Sequence, residues 1–210
     1  MISLVDPSSN GAFHLALCVA VRGRVEFLRK RVPTWANAGF SEVLVADNSQ
    51  EPRDRQEILR LCTGLGLVYV PIAPRFRDQR SFAWNEAIRH ARASWILIQA
   101  DDDEIVRRVN CQYLAEAAGA FDYLMPSAGT EVLAPERGHM PILFRRELAL
   151  RVGGYPEFLA GGEDHALLRK FLRVGKVGEY DARQAWTDLE VPPLVFIPHT
   201  VSTVRNMFWY

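Results

Sequence analysis

The chain has 210 residues, and its 25 Lys+Arg balance 25 Asp+Glu to a formal charge of zero. A hydrophobic content of 49% and a charged content of 24% are those of ordinary globular proteins and exclude a disordered or fibrous chain. A neutral total also argues against a general nucleic-acid binder, while leaving room for a local basic site.

Cys18, Cys62 and Cys111 lie far apart without a CxxC pair, which speaks against a disulfide framework or structural zinc and for a reducing compartment. No basic-then-apolar leader opens the sequence, and its apolar runs are far shorter than the ~20 residues that span a bilayer. The expectation is a soluble, cytoplasmic protein of one domain, residues 1–210, since a typical domain takes about 100–200 residues.

In chain order, Leu15–Val21 is a continuous apolar run rich in valine, the mark of a strand buried on both faces. A helix is predicted over 25–38, ending near Gly39, and then a second strand over 42–46 that stops at the turn-favouring Asp47-Asn48-Ser49. A helix over 53–63, a strand over 67–70 and a helix over 81–93 follow. A fourth strand, Trp95–Ala100, runs directly into Asp101-Asp102-Asp103-Glu104. This strict alternation predicts a mostly parallel, Rossmann-like sheet flanked by helices. The second half is less regular, with strands predicted at 122–125, 130–133 and 141–144 and helices at 145–151 and Glu163–Val174. Glycine doublets at 153–154 and 161–162 bracket a loop containing Tyr155-Pro156. There is no internal repeat and no linker-like tract.

Open parallel sheets bind ligands at the carboxyl ends of their strands. Two acidic sites fall there, Asp47 and the turn 101–104. Four adjacent carboxylates repel one another unless a cation joins them, and oxygen clusters of this kind suit Mg²⁺ or Mn²⁺ beside substrate phosphates; the plainer reading is a solvated acidic turn. The basic stretch Arg75-Phe-Arg-Asp-Gln-Arg80 precedes a helix, and its Arg77 and Arg80 could supply the counter-charge for a diphosphate. Glu163 and Asp164 open an apolar-faced helix behind Gly161-Gly162. There they either satisfy the helix terminus or provide a rigidly held general base. His199 follows an apolar segment and on its own is an ordinary packed or surface histidine. No Gly-x-Ser-x-Gly elbow, Walker loop or dinucleotide fingerprint is present.

Taken in order, Leu15-Ala-Leu-Cys-Val-Ala-Val21, Glu42-Val-Leu-Val-Ala-Asp-Asn-Ser49, Ser81-Phe-Ala-Trp-Asn-Glu-Ala-Ile88, Ala93-Ser-Trp-Ile-Leu-Ile-Gln-Ala-Asp-Asp-Asp-Glu104 and Val152-Gly-Gly-Tyr-Pro-Glu-Phe158 with Gly161-Gly-Glu-Asp164 make one pattern. It resembles the GT-A-fold glycosyltransferases, specifically the inverting family 2, with an acceptor motif similar to that of galactosyltransferase-like domains. The resemblance covers residues 15–175. It implies a GT-A α/β fold with a nucleotide-sugar-binding half over about 12–104 and a smaller, mixed acceptor-binding half over about 105–210.

What the resemblance implies for single residues is as follows. Asp47 reads the nucleotide base, typically uracil. Asp101 and Asp103 form the Asp-x-Asp pair that holds Mn²⁺ or Mg²⁺ on the donor diphosphate, with Asp102 between them beside the nucleotide and Asp103 as the firmer ligand. Asp164 is the catalytic base, Glu163 orients the acceptor, and His199 stands where some relatives place a further metal ligand. Val21-Arg-Gly-Arg24 departs from the family pattern at the base pocket.

The expected activity is metal-dependent inverting transfer from a nucleotide-diphosphate sugar, a UDP-sugar first, to the hydroxyl of a glycan, a lipid-linked molecule or a small molecule. Two alternatives stand beside it: a sugar-phosphate nucleotidyltransferase and a non-catalytic nucleotide-sugar-binding module. The terminal Phe208-Trp-Tyr210 is expected to pack on the core, with a homodimer contact or a peripheral membrane contact as the other options.

Overall fold

The computed structural model describes residues 13–73, 80–101, 107–127, 142–157 and 162–188. The expected strand at 130–133 and the terminal aromatic run lie outside them. The described elements are β1 (Leu15–Val21), α1 (Val25–Asn37), β2 (Glu42–Asp47), α2 (Pro52–Gly64), β3 (Val68–Pro71), α3 (Arg80–His90), β4 (Trp95–Ala100), β5 (Arg107–Val109), α4 (Cys111–Ala118), β6 (Tyr123–Pro126), β7 (Leu143–Arg145), α5 (Arg146–Arg151), α6 (Glu163–Val174), β8 (Val177–Tyr180), α7 (Ala182–Ala185) and β9 (Trp186–Asp188).

Seven strands form one sheet in the order β3-β2-β1-β4-β7-β6-β8. Parallel pairing joins β1 to β2 and β4, β2 to β3, and β6 to β8. β7 pairs antiparallel with both β4 and β6, so six strands point one way and β7 the other. A separate antiparallel ribbon joins β5 to β9.

Side chains alternate across the sheet, as the period of a strand requires. Leu15, Leu17, Val19 and Val21 of β1 enter one core layer with Leu28, Val32 and Trp35 of α1, Ile58 of α2 and Leu114 of α4. Ala16 and Cys18 enter the other layer with Trp84 and Ile88 of α3, Leu148 of α5 and Phe171 of α6. The sheet is thus covered on both faces, and this explains why β1, β2 and β4 read as unbroken apolar runs.

Local chemistry sets the helix ends. Gly39, at φ +85°, follows α1, and Pro52 opens α2 at a position where its missing N–H is no loss. The helix expected over 81–93 ends instead at His90. The N–H groups of Arg92 and Ala93 turn to the Glu42 carboxylate, at 2.6 and 2.5 Å, in place of helix carbonyls. Cys18 and Cys62 are buried and Cys111 partly so, and all three are free thiols. Among the described residues no helix is long and apolar enough to cross a membrane.

Candidate active site

The carboxyl ends of β1, β2, β3 and β4 lie on one edge of the sheet, at Val21, Asp47, Pro71 and Ala100. β2 and β4 flank β1, so Asp47 and Asp101 leave the sheet two interstrand spacings apart, roughly 10 Å.

Asp47 is fully buried. Its Oδ1 accepts the Ser49 N–H at 2.8 Å and its Oδ2 accepts the Tyr69 hydroxyl at 2.9 Å. Burial and the Asp47 charge push the Tyr69 phenol well above its ordinary value, which keeps it a donor. The rest of the turn is braced from several sides. The Ser49 hydroxyl accepts the Gly23 N–H at 2.7 Å, the Asn48 N–H donates to the Val21 carbonyl, and Arg55 donates to the Ser49 and Ile72 carbonyls. Asp47 is therefore first of all the organiser of the β2 exit. A carboxylate offers about four lone-pair sites, so two donors do not exhaust it.

Gly23 and Arg24 both adopt left-handed backbone, at φ +63° and +54°, and Arg24 is the one non-glycine residue to do so among those described. A left-handed arginine is strained by roughly 1–2 kcal/mol. The turn aims its side chain across the sheet edge, where Nη1 lies 3.7 Å from Asp101 Oδ1.

Arg80 opens α3. Its Nε lies 3.7 Å from Glu163 Oε1, and its guanidinium stacks over the Trp84 ring with 5.6 Å to the centroid. Glu163 is buried at the start of α6, behind Gly162 at φ +70°. Asp164 is its neighbour on the same turn, and burial together with the charges of Asp164 and Glu163 holds the nearby Tyr155 phenol well above its ordinary range. A small pocket lies between Ile98 and Phe144 of the sheet and Leu167 and Phe171 of α6, with Tyr155 and Asp164 in its lining.

The sequence-predicted residues divide as follows. Arg80, Glu163 and Asp164 come together where α3 meets α6, and Asp47 and Asp101 stand on the sheet edge. Arg77, Asp102, Asp103 and His199 lie outside the described residues. Among the described residues no cluster of three acidic, histidine or cysteine side chains is placed to hold a divalent ion, and the carboxylate at the exit of β4 is Asp101. That donor chemistry fits Mg²⁺ or Mn²⁺, since Mg²⁺ commonly takes one or two protein carboxylates and completes its shell with phosphate and water.

Sequence reasoning assigned no role to four residues that shape this edge: Arg24, Tyr69, Asn85 and Tyr155. Asn85 carried a usable signal, because an asparagine inside a helix is disfavoured unless its amide finds partners. Those partners lie 70 residues away. Asn85 Oδ1 accepts the Tyr155 N–H at 2.8 Å, and its Nδ2 donates to the Tyr155 carbonyl at 2.9 Å and to Glu157 at 3.1 Å.

No family model matches the chain, and no curated protein matches it. Solved structures share its architecture. TarS residues 1–349 of S. aureus matches with a TM-score of 0.60 at 15% identity, over 83% of this chain and 60% of that one. The same protein in complex with UDP-GlcNAc gives 0.60 at 14%, over 86% and 60%. The mannosyltransferase PcManGT of Pyrobaculum calidifontis, in complex with GDP-Man and Mn²⁺, gives 0.55 at 16%, over 80% and 56%. The chain thus spans 60% or less of each of these structures. At such identities the likeness is one of fold, and that fold is the α/β GT-A architecture of glycosyltransferases.

Proposed function

We propose that the chain is a metal-dependent inverting glycosyltransferase that moves a sugar from a nucleotide-diphosphate sugar, a UDP-sugar first, to an acceptor hydroxyl. The observation that carries this reading is Asp164 itself, a carboxylate on the first turn of α6 that lines a pocket beside the buried Tyr155. Two neighbours add support: TarS, solved with UDP and with UDP-GlcNAc, and PcManGT, solved with GDP-Man and Mn²⁺.

In this reading the donor lies along the carboxyl edge, with its base toward the turn organised by Asp47 and its diphosphate toward Asp101, Asp102, Arg77 and Arg80. Asp101 and Asp103, with His199 as a further candidate, would hold a Mn²⁺ or Mg²⁺ ion, which would neutralise charge on the departing nucleoside diphosphate. Glu163, tethered to Arg80, orients the acceptor. Asp164 takes the proton of the acceptor hydroxyl as that oxygen bonds to the anomeric carbon and the carbon–phosphate-oxygen bond opposite breaks. The configuration inverts in one displacement.

A thermal-shift panel of nucleotide sugars, with and without Mn²⁺, tests the assignment. A ligand present at 100 times its Kd stabilises the native state by about 2.7 kcal/mol. Stabilisation by UDP-sugars that requires Mn²⁺ and is followed by UDP release upholds the reading; no response to any nucleotide sugar refutes it. The nucleotidyltransferase alternative draws on the left-handed Gly23-Arg24 turn that reaches Asp101. It predicts preferential binding of a nucleoside triphosphate and release of pyrophosphate.

A further inference from the structure

We infer that Asn85 is a positioning residue. From inside α3 it fixes the 153–157 turn, and through that turn the place of α6, the helix that carries Glu163 and Asp164. The inference rests on the glycosyltransferase reading for its kinetic consequence, while the hydrogen bonds it describes stand apart from any donor.

Tyr155 is buried yet lies in no helix or strand, so its backbone N–H and carbonyl need partners that no regular element provides. The Asn85 amide provides both. Its Oδ1 accepts the Tyr155 N–H at 2.8 Å, and its Nδ2 donates to the Tyr155 carbonyl at 2.9 Å and to Glu157 Oε1 at 3.1 Å. Pairing with both backbone groups of one residue is what a neighbouring strand does in an antiparallel ladder. The task needs a donor and an acceptor on one side chain, which aspartate and leucine, of similar size, do not offer. Asn85 is itself buried, and the Trp84 ring packs against Tyr155 beside the pairing, with 5.0 Å between centroids. Shielded from water in this way, each bond is stronger and each loss more costly.

Two further helices hold the same turn. The Gly154 N–H donates to the Ala149 carbonyl of α5 at 2.8 Å, and the Lys170 ammonium of α6 donates to the Gly154 carbonyl at 2.7 Å. Gly154 leaves no room for a side chain, since a Cβ there would press on the Asn85 amide. α3 and α6 are therefore tied twice. Arg80 faces Glu163 where the two helices begin, and farther along both hold the turn, through Asn85 and Lys170. Lys170 lies about 9 Å along α6 from Asp164, so a displaced turn moves the carboxylates through a rigid helix. Arg80 also stands on the donor side in the proposed reading. The register of α3 against the turn thus sets how donor-side and acceptor-side groups face each other.

The test is Asn85→Ala in the full chain, with Asn85→Asp beside it as a variant that keeps the size and loses the donors. Amide hydrogen exchange should quicken at Tyr155 by about ten- to hundredfold in Asn85→Ala, with a smaller change along β1. Equal acceleration at both places, or none at Tyr155, overturns the inference. Hydrolysis of UDP-GlcNAc and of UDP-glucose with Mn²⁺, water standing in for the acceptor hydroxyl, is followed by UDP release. In both variants kcat per folded molecule should fall by about 10–10²-fold, the cost of a misplacement near 1 Å, with the donor KM unchanged. Lower stability alone changes the folded fraction and leaves kcat per folded molecule as it was, so that result, or a parent-like kcat in Asn85→Asp, also overturns the inference. Lys170→Met, at a half-buried position, releases the turn from α6 and covers the case in which neither Asn85 variant folds. Exchange at Tyr155 should quicken there too, and an unchanged rate counts against the clamp. A parent enzyme that turns over no UDP-sugar refutes the transferase reading instead, and the exchange comparison still decides the clamp.

Discussion

Gly153 and Gly154 are adjacent, both left-handed at φ +76° and +66°, yet they make very different demands. At Gly153 a Cβ would meet nothing within 4 Å, whereas at Gly154 it would meet Asn85 Oδ1 at 2.2 Å and Cγ at 2.9 Å. Gly153→Ala should therefore cost only the left-handed strain, about 1–2 kcal/mol. Gly154→Ala carries the same strain and also displaces the Asn85 amide. The Tyr155 N–H and carbonyl then lose their partners, at about 1–3 kcal/mol for each group left buried and unsatisfied. The expected total is about 3–8 kcal/mol, a large part of the 5–15 kcal/mol that typically holds a domain together. Urea unfolding of both variants, followed by tryptophan fluorescence, gives the difference directly. Equal losses in the two variants would refute the interlock between α3 and the 153–155 turn.

Three further outcomes are expected. Asp164→Asn should lower transfer by about 10²–10⁴-fold while nucleotide-sugar binding, measured by calorimetry, stays close to that of the parent. The Asp181 carboxyl, held down to about 2 by hydrogen bonds from Arg183 and Gln184, sits below its unfolded value of 3.8. It therefore contributes stability at neutral pH that is lost as pH falls from about 4 to 2, and Asp181→Asn should flatten that part of a Tm-versus-pH curve. Burial pushes the Cys62 thiol up to about 12 and the Cys18 thiol higher still, so neither should react with a thiol reagent at pH 8 in the folded protein. Partly exposed Cys111 should react first, with all three accessible in denaturant; rapid native-state labelling of Cys18, traced by mass spectrometry, would contradict the described core.

Much of the architecture is legible in the residues. β1, β2 and β4 announce themselves because burial on both faces removes polar alternation, and Asp47 and Asp101 fall at their ends where the pattern breaks. The helix end at His90 is not legible, since it depends on Glu42, 50 residues earlier, capturing two N–H groups. α4 was missed although Asn110 caps it, its Oδ1 accepting the Tyr113 N–H at 3.2 Å; eight residues with two buried positions make a weak period. The ribbon of β5 and β9 pairs residues about 80 positions apart, and three-residue strands carry no pattern of their own. At the site, charge was readable and support was not. Carboxylates stand out in a sequence, while the tyrosine that holds Asp47 and the asparagine that clamps the Tyr155 backbone are recognised only once distant elements meet.

The reversed direction of β7 has a consequence for variation. A parallel strand following β6 would need a crossover of a dozen or more residues over one face of the sheet. Because β7 runs the other way, the chain leaves the sheet at Pro126 and rejoins it at Leu143 on the same edge that carries Asp101. Residues can be gained or lost between those two points without shifting any strand register. The pairings that fix β6 and β7 therefore do not depend on the length of chain between them.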